Sequence, residues 1–168
     1  MGKEPSFDEN EETELEAQLS SSKTRALKIL ASRDLSTNYM RQRLMQKGVS
    51  PETAQQTVQW LLEIGYLNDS EHASNIVKHY SAKGYGIARI KDELFKRGIV
   101  REMWDEALES ASDMIEAAYN YAALKLNGSR DEDDLRKVSN ALYRRGFTYD
   151  ESREAMRRYL EETGASET

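Results

Sequence analysis

Leu94-Phe-Lys-Arg-Gly98-Ile99 decides the fold of this chain, because its pattern occurs two more times. Each copy has an apolar residue, a basic residue directly before a glycine, and a second apolar residue. The other copies are Leu44-Met-Gln-Lys-Gly48-Val49 and Leu142-Tyr-Arg-Arg-Gly146-Phe147, so the glycine recurs at a nearly constant spacing. Such a period is typical of tandem supersecondary units, each too small to bury a stable core alone. We therefore expect three repeats, with function on a surface that the array builds.

The composition restricts the class of protein. Charged residues make up 32% of the 168 residues, and cysteine is absent. The absence of cysteine excludes disulfides and thiolate metal ligands and favours a reducing compartment. No apolar run has the length of a membrane span, and the amino terminus has no signal-peptide core. We expect a cytoplasmic monomer without membrane contacts.

The segment 1–22 accounts for the net charge of −6, since it holds seven carboxylates and one lysine. It includes few large apolar side chains, so we predict a flexible acidic arm over 1–22, closed by Ser20-Ser21-Ser22. The arm either adds solubility or competes with nucleic acid for basic surfaces.

Apolar residues recur at helical spacing along almost the whole chain, and no β-branched run alternates with period two. This pattern predicts an all-α fold. The predicted helices cover 24–33, 37–47, 51–64, 70–82, 87–97, 101–111, 113–126, 132–145 and 149–162. They form three-helix, helix-turn-helix-like repeats at 23–68, 69–111 and 112–162, followed by a tail over 163–168. Stacked in sequence, such repeats give an elongated, curved array.

Capping residues support these boundaries. Each repeated glycine is expected at a left-handed position after a helix, where the preceding cations favour the helix carboxyl end. Ser50 is a predicted N-cap, and Thr148 with Glu151 forms a predicted capping box. Val100 takes the equivalent place in the middle repeat and cannot cap, so the helix start there is expected to be weaker.

Three further stretches carry a family resemblance: Gly65-Tyr-Leu-Asn-Asp69, Lys83-Gly-Tyr-Gly-Ile-Ala-Arg-Ile90 and Glu93-Leu-Phe-Lys-Arg-Gly-Ile99. In this order they resemble the signature of the RecX regulatory proteins. The segment Ala26–Ser36 resembles the first helix of that family, and the resemblance covers about 24–162. The chain departs from the family at His72, where an aromatic residue is common, and it resembles the family least in the third repeat.

The resemblance implies an all-helical modulator of the RecA recombinase. Proteins of this family lie in the groove of the RecA–single-stranded DNA filament and usually restrain its ATPase, strand-exchange and coprotease activities. This role would place the chain in the regulation of recombination, DNA repair and the SOS response.

The sequence contains no pattern typical of an enzyme. His72 and His79 lack the further ligands that a metal site needs. Gly84-Tyr-Gly86 follows a helix rather than a strand, so we interpret it as a connector and not as a phosphate loop. The acidic run Asp131–Asp134 lacks the spacing of a calcium loop and suits a helix start. We expect no catalytic residue, no metal and no cofactor.

Charge placement argues against direct reading of duplex DNA. In a helix-turn-helix protein the first turn of the third helix approaches phosphates and bases. Here those turns carry Glu52, Glu102 and Asp150. Carboxylates at these positions would repel the DNA backbone.

The basic residues instead lie on the first two helices of each repeat and at their carboxyl ends. For the cations before the glycines, helix-end electrostatics and partner binding are both open. Arg41, Arg43, Arg89 and Lys91 lie away from helix ends and are better candidates for acidic surfaces or strand phosphates. Tyr66 and Tyr85 either staple the repeats or contact a partner, and stapling is favoured. The predicted partner-binding residues are Arg41, Arg43, Lys47, Lys83, Tyr85, Arg89, Lys91, Lys96, Arg97, Arg144 and Arg145.

Three functions fit this sequence. The preferred one is a non-enzymatic regulator that binds RecA or its single-stranded DNA filament and inhibits it, with weak direct DNA binding as a further expectation. The alternative is a tandem nucleic-acid-binding module with an autoinhibitory acidic arm. The third is a helical adaptor unrelated to recombination.

Overall fold

The computed structural model describes the backbone of residues 7–165 and the side chains of residues 10–165. Within these bounds the regular structure is entirely helical, which confirms the predicted all-α fold. The helices are α1 Phe7–Leu30, α2 Thr37–Gln46, α3 Pro51–Glu63, α4 Asp69–Ala82, α5 Ile87–Lys96, α6 Trp104–Leu108, α7 Met114–Leu126, α8 Glu132–Arg144 and α9 Tyr149–Ala165. A single 3-10 turn over Arg101–Met103 precedes α6.

Three separate hydrophobic clusters correspond to the three repeats. Repeat one (α1–α3) packs around residues such as Met40 and Leu61. Repeat two (α4–α6) packs around Ile90 and Leu94. Repeat three (α7–α9) packs around residues that include Leu142. The chain divides into two compact units between His72 and Ala73, so that the second unit holds the cores of repeats two and three.

The predicted caps and glycine turns are confirmed. Gly48, Gly98 and Gly146 have φ of 86°, 74° and 92°, in the left-handed region that glycine adopts without strain. The Ser50 hydroxyl accepts a hydrogen bond from the Thr53 amide at the start of α3. The Thr148 amide donates to Glu151 Oε2 at 2.8 Å, and the Glu151 amide donates to Thr148 Oγ1 at 3.2 Å. This is a capping box.

The start of the third helix in repeat two is weak, as predicted from Val100. Val100 makes no side-chain capping hydrogen bond, and the chain first forms the 3-10 turn before the short helix α6. The predicted single helix over 101–111 is therefore wrong in its extent. Without a capping oxygen the first amides lack a side-chain acceptor, and the tighter turn forms instead.

The predicted start of the first helix at 24 is wrong. α1 begins at Phe7 and runs without a break through Ser20–Ser22. The acidic segment is rich in good helix formers, and carboxylates favour the amino end of a helix. The serines do not close a linker, because Ser22 is buried and its hydroxyl lies 2.7 Å from Thr57 Oγ1 of α3. Residues 1–6 of the predicted arm lie outside the described residues. The flexibility of the arm stays a prediction.

The last helix also extends beyond its predicted end at 162. α9 continues to Ala165, and Thr163 Oγ1 donates to the Tyr159 carbonyl at 2.8 Å. The Arg130 guanidinium caps this end by donating to the Leu160 carbonyl at 3.1 Å. Residues 166–168 of the predicted tail lie outside the described residues.

Candidate partner-binding surface

In repeat one, the predicted binding residues Arg41, Arg43 and Lys47 lie on α2 or at its carboxyl end, and all three side chains are exposed. No ion pair among the described residues involves them. The Lys47 carbonyl accepts a hydrogen bond from Arg25 Nη1 at 2.7 Å, which fixes the backbone and leaves the ammonium in solvent. These cations are therefore available to an acidic partner.

In repeat two, several predicted cations surround one buried carboxylate. Glu93 lies 3.1 Å from Arg89, 3.5 Å from Lys96 and 3.8 Å from Arg97. The residue is 7% exposed, so its charge must be balanced from within the repeat. The Arg89 and Arg97 side chains are therefore held in place and keep about two fifths of their surface exposed (40% and 42%).

Tyr80 of α4 completes this cluster. Arg97 Nη2 donates to the Tyr80 hydroxyl at 2.9 Å, and the guanidinium lies 5.6 Å from the ring centre. Burial by itself raises the pKa of the Glu93 carboxyl, but the hydrogen bond from Tyr80 and the attraction of Lys96 and Arg89 outweigh it. The pKa of Glu93 is therefore below its ordinary value.

Arg145 holds repeat three against repeat two. Its Nε donates to the Gly84 carbonyl at 2.6 Å and its Nη2 donates to the Lys83 carbonyl at 2.7 Å. The guanidinium is also sandwiched between two rings, 3.9 Å from the centre of Tyr85 and 4.3 Å from that of Tyr121. Arg145 thus has a structural role within the chain, and Tyr85 is half-buried in the contact, as stapling predicts.

A backbone contact between two glycines lies beside Arg145. The Gly86 amide donates to the Arg145 carbonyl at 2.9 Å, and the Ala88 amide donates to the Gly146 carbonyl at 3.3 Å. A Cβ at Gly86 would lie 2.2 Å from the Gly146 carbonyl carbon. The amino end of α5 thus meets the carboxyl end of α8 without intervening side chains, and glycine is needed on both sides.

Three predicted binding residues of the second unit form no ion pair among the described side chains. They are Lys83, Lys91 and Arg144, and all three side chains are exposed. Arg89, Lys96 and Arg97 add further exposed or partly exposed cations to the same unit. Their role in binding a partner stays a prediction, and the sequence did not reveal the internal contacts of Arg97 and Arg145, because the aromatic partners of these arginines lie outside their own helices.

Two exposed aromatic residues of the second unit were missed by the sequence reasoning. Phe95 is 66% exposed and Tyr143 is 75% exposed, and each lies three residues before its repeat glycine. Met45 is the equivalent residue in repeat one and is 40% exposed. A signal was present in the sequence: the preceding leucine of each repeat faces the core, so its apolar neighbour on a helix must point elsewhere. Tyr66, for which stapling was favoured, is 62% exposed.

Acidic residues, opposite in charge to the predicted binding residues, lie at the starts of the third helices. Glu52, Glu102 and Asp150 are all exposed in or next to the first turn of their segments. Such carboxylates would repel the DNA backbone, so these helices are unsuited to enter a DNA groove as recognition helices.

None of the described helices combines the length and the apolar character needed to span a bilayer.

Comparison with known proteins identifies the family. The chain matches the family model described as RecX, first three-helix domain, over residues 23–61. It is 34% identical over 136 residues to the regulatory protein RecX of Trichlorobacter lovleyi, covering 74% of this chain and 86% of that protein. The chain belongs to the RecX family of regulatory proteins.

Other RecX proteins extend the likeness across nearly the whole chain. The regulatory protein RecX of Vibrio vulnificus is 30% identical over 139 residues, covering 81% of this chain and 91% of that protein. The crystal structure of RecX from Lactobacillus salivarius has the same fold, with a TM-score of 0.75 at 20% identity, over 84% of this chain and 96% of that one. The family expected from the sequence motifs is therefore confirmed.

Proposed function

We propose that this protein binds the RecA recombinase on single-stranded DNA and restrains its ATPase, strand-exchange and coprotease activities. Membership in the RecX family carries this proposal, since relatives that match most of the chain are named regulatory proteins. The family resemblance described above implies RecA as the partner. Each compact unit would contribute its own exposed cations, those of α2 in the first unit and those of α5 and the carboxyl end of α8 in the second.

The chemistry of this surface supports binding rather than catalysis. Arg41, Arg43 and Lys91 are exposed cations without an ion pair among the described residues, so they can contact carboxylates or phosphates without first breaking an internal pair. Their contributions would be individually small, and several together along one filament would add through effective concentration. A protein attached to neighbouring subunits restrains the subunit motions that accompany ATP turnover.

The test is the rate of ATP hydrolysis by RecA on single-stranded DNA with increasing amounts of this protein. We expect the rate to fall as the protein approaches the number of filament sites. An unchanged rate at several-fold excess would contradict the proposal.

Charge reversal locates the surface. Reversing Arg41, Arg43 and Lys91 to glutamate should weaken inhibition, because each would then repel an acidic contact. Arg89 is left out of this set because its guanidinium lies 3.1 Å from the buried carboxylate of Glu93, and a glutamate at position 89 would place a second negative charge near that carboxylate. The matched control reverses Lys28, Lys78 and Lys125, which are exposed cations outside the predicted set and form no ion pair among the described residues. Equal loss in both variants would indicate net charge rather than a defined surface.

A separate observation supports the second candidate function, which is direct nucleic-acid binding restrained by the acidic segment. Carboxylates of Glu11, Glu12, Glu14 and Glu16 are exposed on the first turns of α1, where they could compete with phosphates. Deleting residues 1–20 retains the buried Ser22 and should then raise affinity for single-stranded DNA, with a steep dependence on salt. No change on deletion would count against autoinhibition.

A further inference from the structure

Phe95 and Tyr143 occupy the same place in two consecutive repeats and are exposed in both. Each follows a fully buried leucine, Leu94 or Leu142, in the last turn of the second helix. A single exposed ring is common on protein surfaces, but aromatic side chains are enriched where a partner covers the surface. The recurrence of the same arrangement at a repeat-equivalent position indicates a shared role.

The surroundings of the two rings are cationic and polar. Phe95 has Lys91 one turn earlier and Lys96 next to it, with Asp92 as its acidic neighbour; Tyr143 has Ser139 one turn earlier and Arg144 next to it. All of these neighbours are exposed. An apolar protein contact requires a continuous apolar patch, whereas a nucleic-acid base requires one ring face and a nearby cation for its phosphate.

The two rings lie in the same compact unit of the chain. The Gly86–Gly146 contact joins the amino end of α5 to the carboxyl end of α8. Phe95 lies nine residues along α5 from Gly86 and Tyr143 lies one turn before Gly146, so helical rise places the backbones of the two residues within roughly 25 Å of each other. The exposed cations Lys83 and Arg144 lie near the same contact. Each ring has its own exposed cation next to it, Lys96 for Phe95 and Arg144 for Tyr143, so a strand that stacks on either ring has a cation for its phosphate.

We propose that Phe95 and Tyr143 are stacking platforms for the bases of single-stranded nucleic acid, with Lys91, Lys96 and Arg144 contacting its phosphates. Stacking on an aromatic ring tolerates any base, so the site would hold a strand without reading its sequence. The inference rests on the proposed function in one respect, since it takes the strand of the filament as the natural ligand. Its test uses free oligonucleotides and does not require RecA.

The experiment measures binding by fluorescence anisotropy at low salt, with a labelled thymidine oligonucleotide of about 20 nucleotides and an abasic strand of the same length. The full-length protein should bind the thymidine strand at least about fivefold more tightly, because only this strand has bases to stack. Replacing both rings, as Phe95→Leu with Tyr143→Leu, should abolish the preference and leave the affinity for the abasic strand unchanged. Circular dichroism checks that the variants fold.

Matched variants separate stacking from apolar contact. Phe95→Trp and Tyr143→Phe keep a ring face and should retain the preference, whereas leucine keeps apolar volume and should lose it. Tyr149→Leu is the control, because Tyr149 is 74% exposed but lies outside the repeat-equivalent position. A leucine variant that keeps the full preference, or a native protein that binds both strands equally, would overturn the proposal.

The outcomes also separate this site from the regulatory proposal. A native protein that slows RecA but shows no preference for bases would leave the regulator intact and reject the stacking site. The reverse pattern, base-dependent binding without any effect on RecA, would support the stacking site and reject the regulator. If Phe95→Leu keeps the full preference for bases while Phe95→Glu loses the inhibition of RecA, the ring contacts a protein and the stacking proposal is rejected.

Discussion

Gly48 in repeat one and Gly146 in repeat three hold the same place in the repeat and have nearly the same backbone, with φ of 86° and 92°. Their surroundings differ. A Cβ built at Gly48 meets no described atom within 4 Å, whereas one at Gly146 would lie 2.5 Å from the Arg89 amide nitrogen. Sequence repetition thus reproduces the local turn, while tertiary packing brings only Gly146, of these two glycines, into close contact with the backbone of α5.

The largest expected difference is between alanine substitutions at these two glycines. Gly48→Ala should lower the free energy of unfolding by about 1 to 2 kcal/mol, the strain of a left-handed alanine. Gly146→Ala adds a clash with backbone that cannot rotate away, so we expect a loss of more than about 3 kcal/mol. Urea denaturation followed by circular dichroism measures both. Equal losses would mean that the close approach to Arg89 contributes nothing.

The residues before these glycines give the next largest difference. Arg145→Ala removes two hydrogen bonds to carbonyls and the stacking on Tyr85 and Tyr121, for an expected loss of about 2 to 3 kcal/mol. Lys47→Ala removes an exposed side chain and should change stability by less than about 0.5 kcal/mol. Thermal unfolding of both variants provides the comparison. Arg145→Lys sharpens it, because lysine keeps the charge and loses the planar fork, and a fully stable lysine variant would contradict the structural role.

A third contrast lies at the position occupied by Arg43 in repeat one and by the buried Glu93 in repeat two. Glu93→Gln removes the charge that Arg89, Lys96 and Arg97 surround, so we expect a loss of about 1 to 2 kcal/mol at neutral pH. Because the pKa of Glu93 is lowered on folding, its stabilisation is present above the pKa of the unfolded chain, about 4.3, and is lost as the pH falls through the folded value. The stability difference between native protein and variant should therefore shrink below about pH 4. A difference that persists unchanged in acid would exclude the charge as its cause.

The smallest effect concerns the helix starts at Ser50 and Val100. Val100→Ser supplies an acceptor for the uncapped amides and should raise the free energy of unfolding by about 0.5 to 1 kcal/mol. Ser50→Ala removes an existing cap and should lower it by about 1 kcal/mol. Val100 is 50% exposed, so little core packing is lost in the substitution. A destabilised Val100→Ser protein would show that the 3-10 turn is required by its surroundings.

The sequence predicted most of the fold, because the relevant signals are local. Ser50, Thr148 and the repeated glycines act within one turn of the helices they delimit, so their positions could be inferred from neighbouring residues. The start of α1 could not, since helix-forming glutamates resemble a solvated arm until the contact of Ser22 with Thr57 is known.

The candidate surface was predictable only in part. Exposure of Arg41 and Lys91 follows from their charge, but the internal role of Arg145 depends on Tyr85 and Tyr121, which lie outside its own helix. The carbonyls that accept hydrogen bonds from the Gly86 and Ala88 amides belong to the next repeat, so no local sequence pattern predicts these hydrogen bonds.

The contact between Gly86 and Gly146 has a consequence for the order of folding during synthesis. The amides of Gly86 and Ala88 donate to the carbonyls of Arg145 and Gly146, which the ribosome adds long after α5 itself. Until then the amino end of α5 is solvated and the Tyr85 ring is uncovered on the Arg145 side. A nascent chain paused before Arg145 therefore exposes an incomplete second repeat to chaperones and proteases, and translation of the third repeat removes that exposure.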